Sequence, residues 1–251
     1  TVLITHLHFD HTIELPNLWL TGWLFGRKKN MQVYGPEGTE EFMNHFEQAF
    51  DWDLRYRYLT NVHVEGSDLI TTDIEPGVFY NKNGIKITAF DVAHLPMDPD
   101  TEELLGLEGA TFGYRVDYKG RSVVFSGDTR SLPGSKIIEI SKGVDVLVHE
   151  TQIPYPGDSK EAKLANVSMI VHSSPEQVAY VFNETRPRLG IYHHIIPPET
   201  TRDELLGMTD YDGRMEVAED LMTLMIGDEI TVGMAERMDG QTFLESDAVD
   251  E

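Results

Sequence analysis

The stretch that decides the fold is residues 5–11, Thr5-His6-Leu7-His8-Phe9-Asp10-His11, which follows the apolar run Val2-Leu3-Ile4. Beyond a strand end, alternation turns every second side chain toward the same side. Three imidazoles and a carboxylate at this density suit zinc better than calcium or magnesium, which prefer oxygen ligands. The stretch therefore predicts a transition-metal site. The alternative interpretation is a solvated polar loop.

Short apolar and β-branched runs recur along the chain and alternate with helical patterns. They predict strands at residues 2–5, 31–34, 85–92, 111–118, 122–125, 144–148 and 189–192. Turn residues predict hairpins at 81–84 and 118–120, and a third between 222–226 and 230–234. Helices are expected at 39–58, 135–141 and 174–185, the last capped by Ser173 or Ser174. This order indicates a layered α/β fold with antiparallel sheet content.

Polar side chains follow five of the predicted strands at the point where each strand ends. They are His6, His94, Asp128, Glu150 and His193. Strand ends that carry such chemistry imply one shared rim, where rigid elements can hold a site. Taken singly, His94 and His193 are as well explained as core histidines. Only the motif at residues 5–11 makes them candidate metal ligands.

Together these motifs resemble the metallo-β-lactamase superfamily, whose signature is His-x-His-x-Asp-His after a buried strand. Its later motifs are matched in order at Ala93-His94, Ser126-Gly127-Asp128-Thr129 and Gly190-Ile191-Tyr192-His193. The resemblance implies an αββα sandwich with two zinc ions, or other divalent ions such as Mn²⁺ or Fe²⁺. It implies that His6, His8 and His94 bind one ion, that Asp10, His11 and His193 bind the other, and that Asp128 bridges them. His194 directly follows His193, and a shift of one residue would exchange the two.

Two shorter segments resemble one branch of the superfamily. Val148-His149-Glu150-Thr151 and Val171-His172-Ser173-Ser174 are similar to the His-Glu-Ala-Thr and His-Ser-Thr segments of ribonuclease Z, which trims transfer RNA 3′ ends. The resemblance implies that His172 donates a proton to the leaving group and that Glu150 orients it. Asp10 is the third expected catalytic residue, as a proton acceptor. The simpler interpretation of His149 and Glu150 is the end of a strand.

The basic arm with which ribonuclease Z clamps transfer RNA is not expected here. The segment from His94 to Asp128 is short and contains Asp98, Asp100, Glu102, Glu103 and Glu108. The whole chain has 43 acidic and 20 basic residues, and its net charge of −23 opposes attraction to nucleic acid. We therefore expect hydrolysis of an ester, lactone, β-lactam amide or phosphodiester in a small substrate, with transfer RNA processing as the alternative.

Two other classes of function have to be weighed on the same fold. Di-iron oxidoreductases usually carry glutamate at the second histidine of the motif, and His8 argues against that class. A metal-stabilised binding module without turnover is disfavoured because the ligand set is complete and His172 accompanies it. Trp19, Trp23 and Phe25 are candidates for the core or for the mouth of a pocket, and the basic run 27–29 for an anion contact or a solvated loop.

Length and composition predict one hydrolase domain over residues 1–244 and an acidic tail at 245–251. Because residues 2–5 already form a buried strand, we expect an N-terminal part of the fold to lie upstream of this chain. The absence of cysteine excludes disulfides and thiolate ligands. No apolar run reaches the ~20 residues of a membrane span. The cytoplasm is the favoured compartment, with secretion or the periplasm left open, and a homodimer is left open as the assembly.

Overall fold

The computed structural model describes residues 1–60, 64–94 and 111–235. Within these ranges the strands are β1 Val2–Leu3, β2 Met31–Gly35, β3 Leu69–Asp73, β4 Gly77–Lys82, β5 Ile85–Asp91, β6 Phe112–Tyr118, β7 Arg121–Phe125, β8 Val146–Gln152, β9 Leu189–Ile196, β10 Met215–Val217, β11 Met222–Ile226 and β12 Ile230–Met234. The helices are α1 Phe9–Thr12, α2 Leu15–Leu24, α3 Thr39–Ala49, α4 Asp51–Leu59, α5 Lys136–Ser141, α6 Lys160–Ala165, α7 Pro175–Thr185 and α8 Arg202–Gly207.

Two sheets form the centre of the fold. The larger has the strand order β10-β9-β8-β7-β6-β5-β4, and the smaller has the order β1-β2-β3. Strands β4 to β7 pair antiparallel, whereas β7, β8, β9 and β10 pair parallel, as do all strands of the smaller sheet. This is the pairing expected where tight hairpins are followed by helical crossovers.

Apolar packing arranges these elements in four layers. The two sheets face each other across a core that includes Leu3, Tyr34, Ile87, Phe112 and Tyr114. Helices α2, α3 and α4 cover the smaller sheet, and α5, α7 and α8 cover the larger one. Each large side chain buried in these layers contributes about 1.5–3 kcal/mol. The order helix, sheet, sheet, helix is the expected αββα sandwich.

The predicted turns and the cap of α7 are confirmed. Asn83 and Gly84 both have positive φ, as do Lys119 and Gly120, which is the geometry of a tight hairpin turn. Strands β11 and β12 have the predicted bounds. Helix α7 begins with Pro175 and is capped by Ser174 in a reciprocal arrangement with Gln177.

Other elements differ from the sequence expectation. The single helix predicted at 39–58 is wrong, because Phe50 leaves the helical region with φ −103° and ψ 8° and separates α3 from α4. Strands β3 and β10 and helices α2, α6 and α8 were not predicted from the sequence. Strands β8 and β9 run beyond their predicted ends to Gln152 and Ile196. In β8 the polar residues from His149 to Gln152 are all buried.

Two expectations fall outside the described residues: the acidic set Asp98, Asp100, Glu102, Glu103 and Glu108, and the tail 245–251. None of the helices found in residues 1–60, 64–94 and 111–235 is long and apolar enough to span a bilayer.

Candidate metal centre

The loops at the ends of β1, β5 and β7 deliver most of the predicted ligands to one place. Residues 5–8 leave β1, and α1 begins at Phe9, so Asp10 lies in the first turn of the helix. The turn before Asp128 requires glycine. Gly127 has φ +60°, and a Cβ at this position would lie 2.6 Å from the carbonyl oxygen of Phe112. A side chain is therefore excluded from the backbone turn that aims Asp128.

Three imidazoles form the first donor group, His6, His8 and His94. His8 Nδ1 lies 3.0 Å from His6 Nε2 and 3.3 Å from His94 Nε2. Thr5 Oγ1 contacts the other ring nitrogen of His6 at 3.0 Å and leaves Nε2 for the group. Burial lowers the pKa of His6 to about 3 and that of His94 to about 4, so both rings are neutral at pH 7. Neutral rings offer the lone pairs that a cation needs.

The second donor group consists of Asp10, His11, Asp128 and His194. Asp10 Oδ2 lies 3.4 Å from Nε2 of His11 and 3.4 Å from Nε2 of His194. Burial opposes the charge of Asp10, but His11 and the backbone amide of Asp10 hold the pKa of the carboxyl below its usual range. This group combines two carboxylates with two imidazoles, a donor set that suits zinc and other first-row transition metals.

Asp128 lies between the two groups. Its Oδ2 is 3.2 Å from His11 Nε2 and 3.6 Å from His194 Nε2, and also 3.7 Å from His94 Nε2 and 3.9 Å from His6 Nε2. Burial would raise the pKa of Asp128, but a hydrogen bond from His11 and the nearby imidazoles hold it well below the usual range. Its Oδ1 is buried and has no hydrogen-bond partner within the described ranges. An ionised, buried carboxylate with an unused oxygen between two donor groups fits a bridging ligand.

The sequence predicted His193 as a ligand, whereas the structure brings His194 into the second group. Glu150 pairs with His193 and Thr151 with Ile195, so His194 is an extra residue in β9. It has φ +45°, which breaks the regular alternation of the strand. Such a bulge re-aims a side chain. His193 Nε2 is buried without a partner among the residues described, and burial lowers the pKa of His193 to about 4.

His172 and Glu150 lie next to each other beside both donor groups. His172 Nδ1 lies 3.3 Å from Glu150 Oε2, and neither atom has a hydrogen bond of good geometry elsewhere in the described ranges. Burial opposes a charge on His172, but the Glu150 carboxylate raises the pKa of the imidazole above its ordinary value. His172 also lies within ligand distance of His94 and Asp128, so its position alone is compatible with binding a cation.

The remaining sequence candidates separate into core and surface. Trp19 and Trp23 are buried in the core against the smaller sheet, while Phe25 is exposed. The Arg27 guanidinium donates to the carbonyl oxygens of Trp19 and Lys29, so it stabilises the end of α2. The simpler interpretation of His149 from the sequence was the end of a strand. In the structure His149 is fully buried, and both of its ring nitrogens are hydrogen-bonded.

One side of the centre faces solvent. His8 and Asp10 are exposed, whereas His6, His94 and Asp128 are buried. Between the two exposed residues, Phe9 leaves 76% of its surface accessible. The side of the centre that carries the 5–11 motif is therefore the open one, while the buried side supports the donors.

Comparisons with known proteins identify the family of this chain. The chain matches the model of the beta-lactamase superfamily domain over residues 1–195. A ribonuclease Z from Mycobacterium bovis is 28% identical over 235 residues, which cover 88% of this chain and 77% of that protein. A putative ribonuclease Z from Mycobacterium tuberculosis is 27% identical over 235 residues, covering 88% of this chain and 96% of the relative.

Solved structures show the same fold. Human tRNase Z, short form, superposes with a TM-score of 0.53 and 20% identity, covering 87% of this chain and 75% of the other. The metallo-beta-lactamase fold protein YhfI from Bacillus subtilis superposes with a TM-score of 0.57 and 15% identity, covering 86% and 74%. With its donor groups at one rim of the αββα sandwich, the chain belongs to the beta-lactamase superfamily and is a metal-dependent hydrolase of its ribonuclease Z-like branch.

Proposed function

We propose that this protein hydrolyses a phosphodiester bond of a small substrate at a dinuclear zinc centre, with His172 as the proton donor to the leaving group. The observation that carries the proposal is the buried pair of His172 and Glu150, with 3.3 Å between Nδ1 and Oε2, beside both donor groups. An alkoxide is a poor leaving group and needs a proton in the transition state, whereas an activated ester or a strained lactam needs it less. A donor placed at this point therefore favours the phosphodiester.

The donor set fits two zinc ions. Seven side chains supply five imidazoles and two carboxylates, namely His6, His8, His94, His11, His194, Asp10 and Asp128, and Asp128 lies between the two groups. Nε2 of His6 and Nε2 of His94 both converge on Nδ1 of His8, at 3.0 and 3.3 Å, as ligand atoms around one cation would. Asp128 Oδ1 is buried and unpartnered in the described structure. When bound, a zinc pair supplies positive charge and makes a water acidic enough to attack at neutral pH.

The residues of this chain then have separate roles. Asp10 is half-exposed at the solvent side, where its carboxylate can accept a proton from the attacking water. His172 gives its proton to the leaving oxygen, and Glu150 stabilises the charged ring and holds its orientation. His6, His94 and Asp128 are buried and hold the donors in place.

The charge balance supports a small substrate. With a net charge of −23, the protein repels a long polyanion, while two ions held by the donor groups would make the local potential at the site positive. Esters, lactones and β-lactams can enter such a site as well, and they belong in the same substrate screen.

Transfer RNA 3′ processing is the second candidate, favoured by one observation. The curated relatives matched over most of their length carry the name ribonuclease Z, at 27–28% identity. His172 and Glu150 would have the same roles on such a substrate. The two candidates differ in the size and charge of what is bound.

A screen of zinc-loaded protein tests the proposal. Nitrocefin, aryl esters, lactones, bis(p-nitrophenyl) phosphate, an alkyl phosphodiester and a transfer RNA precursor are compared at near-physiological salt. We expect the small phosphodiesters to give the highest kcat/KM. Turnover of the transfer RNA precursor that exceeds turnover of every small substrate would establish the second candidate. Activity on the precursor at very low salt alone is not decisive, because weak screening exaggerates any basic patch.

A further inference from the structure

The carboxylate of Glu150 is held from two different loops. Its Oε1 accepts a hydrogen bond from the backbone N–H of Thr129 at 3.1 Å and another from the backbone N–H of Ser173 at 3.0 Å. Thr129 directly follows Asp128, and Ser173 directly follows His172. The relative position of these two loops therefore sets where Glu150 points and how His172 faces Asp128.

The hydroxyl of Ser173 ties the two loops to each other. Its Oγ donates to the carbonyl oxygen of Thr129 at 2.6 Å and accepts from the backbone N–H of Ser131 at 2.9 Å. The carbonyl oxygen of Ser173 accepts from Gln152 N at 2.8 Å, which anchors the same residue to β8. Ser173 is 0% exposed, so water does not replace these bonds.

A buried histidine supports the same loop from the other side. His149 Nδ1 lies 2.7 Å from the carbonyl oxygen of Glu150, which only accepts, so Nδ1 carries the proton and Nε2 is an acceptor. Ser131 Oγ lies 2.9 Å from Nε2 and therefore donates to it. His149 is 0% exposed, and neither of its ring nitrogens is free to act on a substrate. His149 therefore holds Ser131 and its loop in place.

We infer that Ser131, His149 and Ser173 form a buried brace that positions His172 relative to Asp128, so that all three are positioning residues for proton transfer to the leaving group. The inference rests on the proposed function, because it assigns these residues to the step in which His172 acts. The brace connects the loop after Asp128, strand β8 and the loop that carries His172 through four hydrogen bonds of side-chain atoms.

The brace should affect proton transfer to the leaving group and not the binding of the ions. Proton transfer depends on a donor within hydrogen-bond reach of the leaving oxygen, and displacement by about 1 Å can cost a factor of up to 10². Binding of the ions depends instead on His6, His8, His94, Asp10, His11, His194 and Asp128, none of which the brace side chains contact through a hydrogen bond in the described structure.

The test compares zinc-loaded Ser131→Ala and Ser173→Ala with the parent, His172→Ala and a matched control. The control is Thr185→Val, which removes a buried hydroxyl that donates to Val181 O at 2.7 Å within α7. For each protein, kcat/KM is measured on phosphodiesters whose leaving groups differ in pKa, together with zinc content and thermal unfolding. Ser131→Ala leaves Ser173 intact, so it provides a second measurement if Ser173→Ala fails to fold.

We expect both brace variants to keep their zinc and to lose about ten- to a hundredfold on the poorest leaving group, with little loss on nitrophenyl leaving groups. The leaving-group dependence would steepen toward that of His172→Ala, while Thr185→Val would keep the parent slope. Equal loss on all substrates, or a slope unchanged from that of the control, would overturn the brace. If His172→Ala itself leaves the slope unchanged, the failure lies with the proposed proton donor instead.

Discussion

The Nδ1–H of His94 donates to the carbonyl oxygen of Val171 at 2.9 Å, which joins a ring of the first donor group to the residue that precedes His172. A carbonyl oxygen only accepts, so the bond fixes the tautomer of His94 and leaves its Nε2 as the metal-facing nitrogen. Partners of this kind orient ligating histidines and raise their basicity. The loop that presents the proposed proton donor therefore also orients a proposed metal ligand.

Metal stoichiometry is the most direct prediction. We expect about two zinc equivalents per chain, since the seven donors form two groups that share the position of Asp128. Asp128→Ala should lose more zinc than any other single ligand variant, because it removes a donor from both groups. Elemental analysis after zinc reconstitution checks both statements. Full activity with one equivalent would contradict the dinuclear assignment.

The bulge in β9 predicts opposite results for two adjacent histidines. His194→Ala should weaken binding of one ion by more than about 100-fold, beyond the 10–100-fold typical of losing an orienting partner. His193→Ala should keep both ions, since His193 belongs to neither donor group. Competition with a chromogenic zinc chelator measures each affinity. Loss of an ion in His193→Ala, with retention in His194→Ala, would restore the alignment first expected from the sequence.

The proton donor predicts a dependence on the leaving group. His172→Ala should keep its zinc and lose roughly 10²–10⁴ in kcat on substrates with poor leaving groups, the usual span for general acid catalysis. Nitrophenyl substrates should lose much less, and Glu150→Gln should show a weaker form of the same pattern, because it stabilises the charged ring less. Loss of zinc in His172→Ala would instead identify His172 as a ligand, a role that its distance from His94 and Asp128 permits.

The ion pair of Asp145 and Arg188 leads to a prediction about the acid sensitivity of the fold. Burial would raise its pKa, but the Arg188 guanidinium, which donates to Oδ1 at 2.6 Å, and the backbone N–H of Ser122 hold it below the usual range. A depressed folded pKa contributes stability above the unfolded pKa, and that contribution is lost as the pH falls through the folded pKa. Asp145→Asn should therefore lower the free energy of unfolding by about 1–3 kcal/mol at pH 7.

The difference between Asp145→Asn and the parent should begin to shrink as the pH falls below about 4, the ordinary pKa of an unfolded aspartate. It should vanish once the pH is also below the depressed folded pKa, where the parent's carboxylate is protonated as well. Urea unfolding at several pH values measures it. Glu139→Gln is the matched control, because the pair of Glu139 and Lys136 is an exposed contact on α5, and exposed pairs contribute little. A constant difference between Asp145→Asn and the parent across the pH range would refute the assignment.

Local chemistry was sufficient for much of this protein. The density of donors in residues 5–11 predicted a metal site, and the resemblance of Ser126-Gly127-Asp128-Thr129 to the family motif implied the shared aspartate. The structure adds the reason for the glycine, since a Cβ at Gly127 would collide with the carbonyl oxygen of Phe112. The turns at Asn83-Gly84 and Lys119-Gly120, and the cap at Ser174, depend on residues next to one another in the chain. These turns and this cap can be predicted from the sequence because the interactions that stabilise them are between neighbouring residues.

Tertiary structure decided what depends on partners distant in the chain. Whether His193 or His194 joins the donors is set by a bulge between β8 and β9, which depends on how two strands separated by 36 residues or more align at Glu150 and Thr151. The helix predicted through Phe50 divides at this residue, which packs against the core of the smaller sheet. The sequence identifies His149 only as the end of a strand. The structure shows that it is buried and that its two ring nitrogens bind the hydroxyl of Ser131 and the carbonyl oxygen of Glu150. Burial turns an unremarkable polar residue into a constrained one, because each of its polar atoms must then find a partner inside the fold.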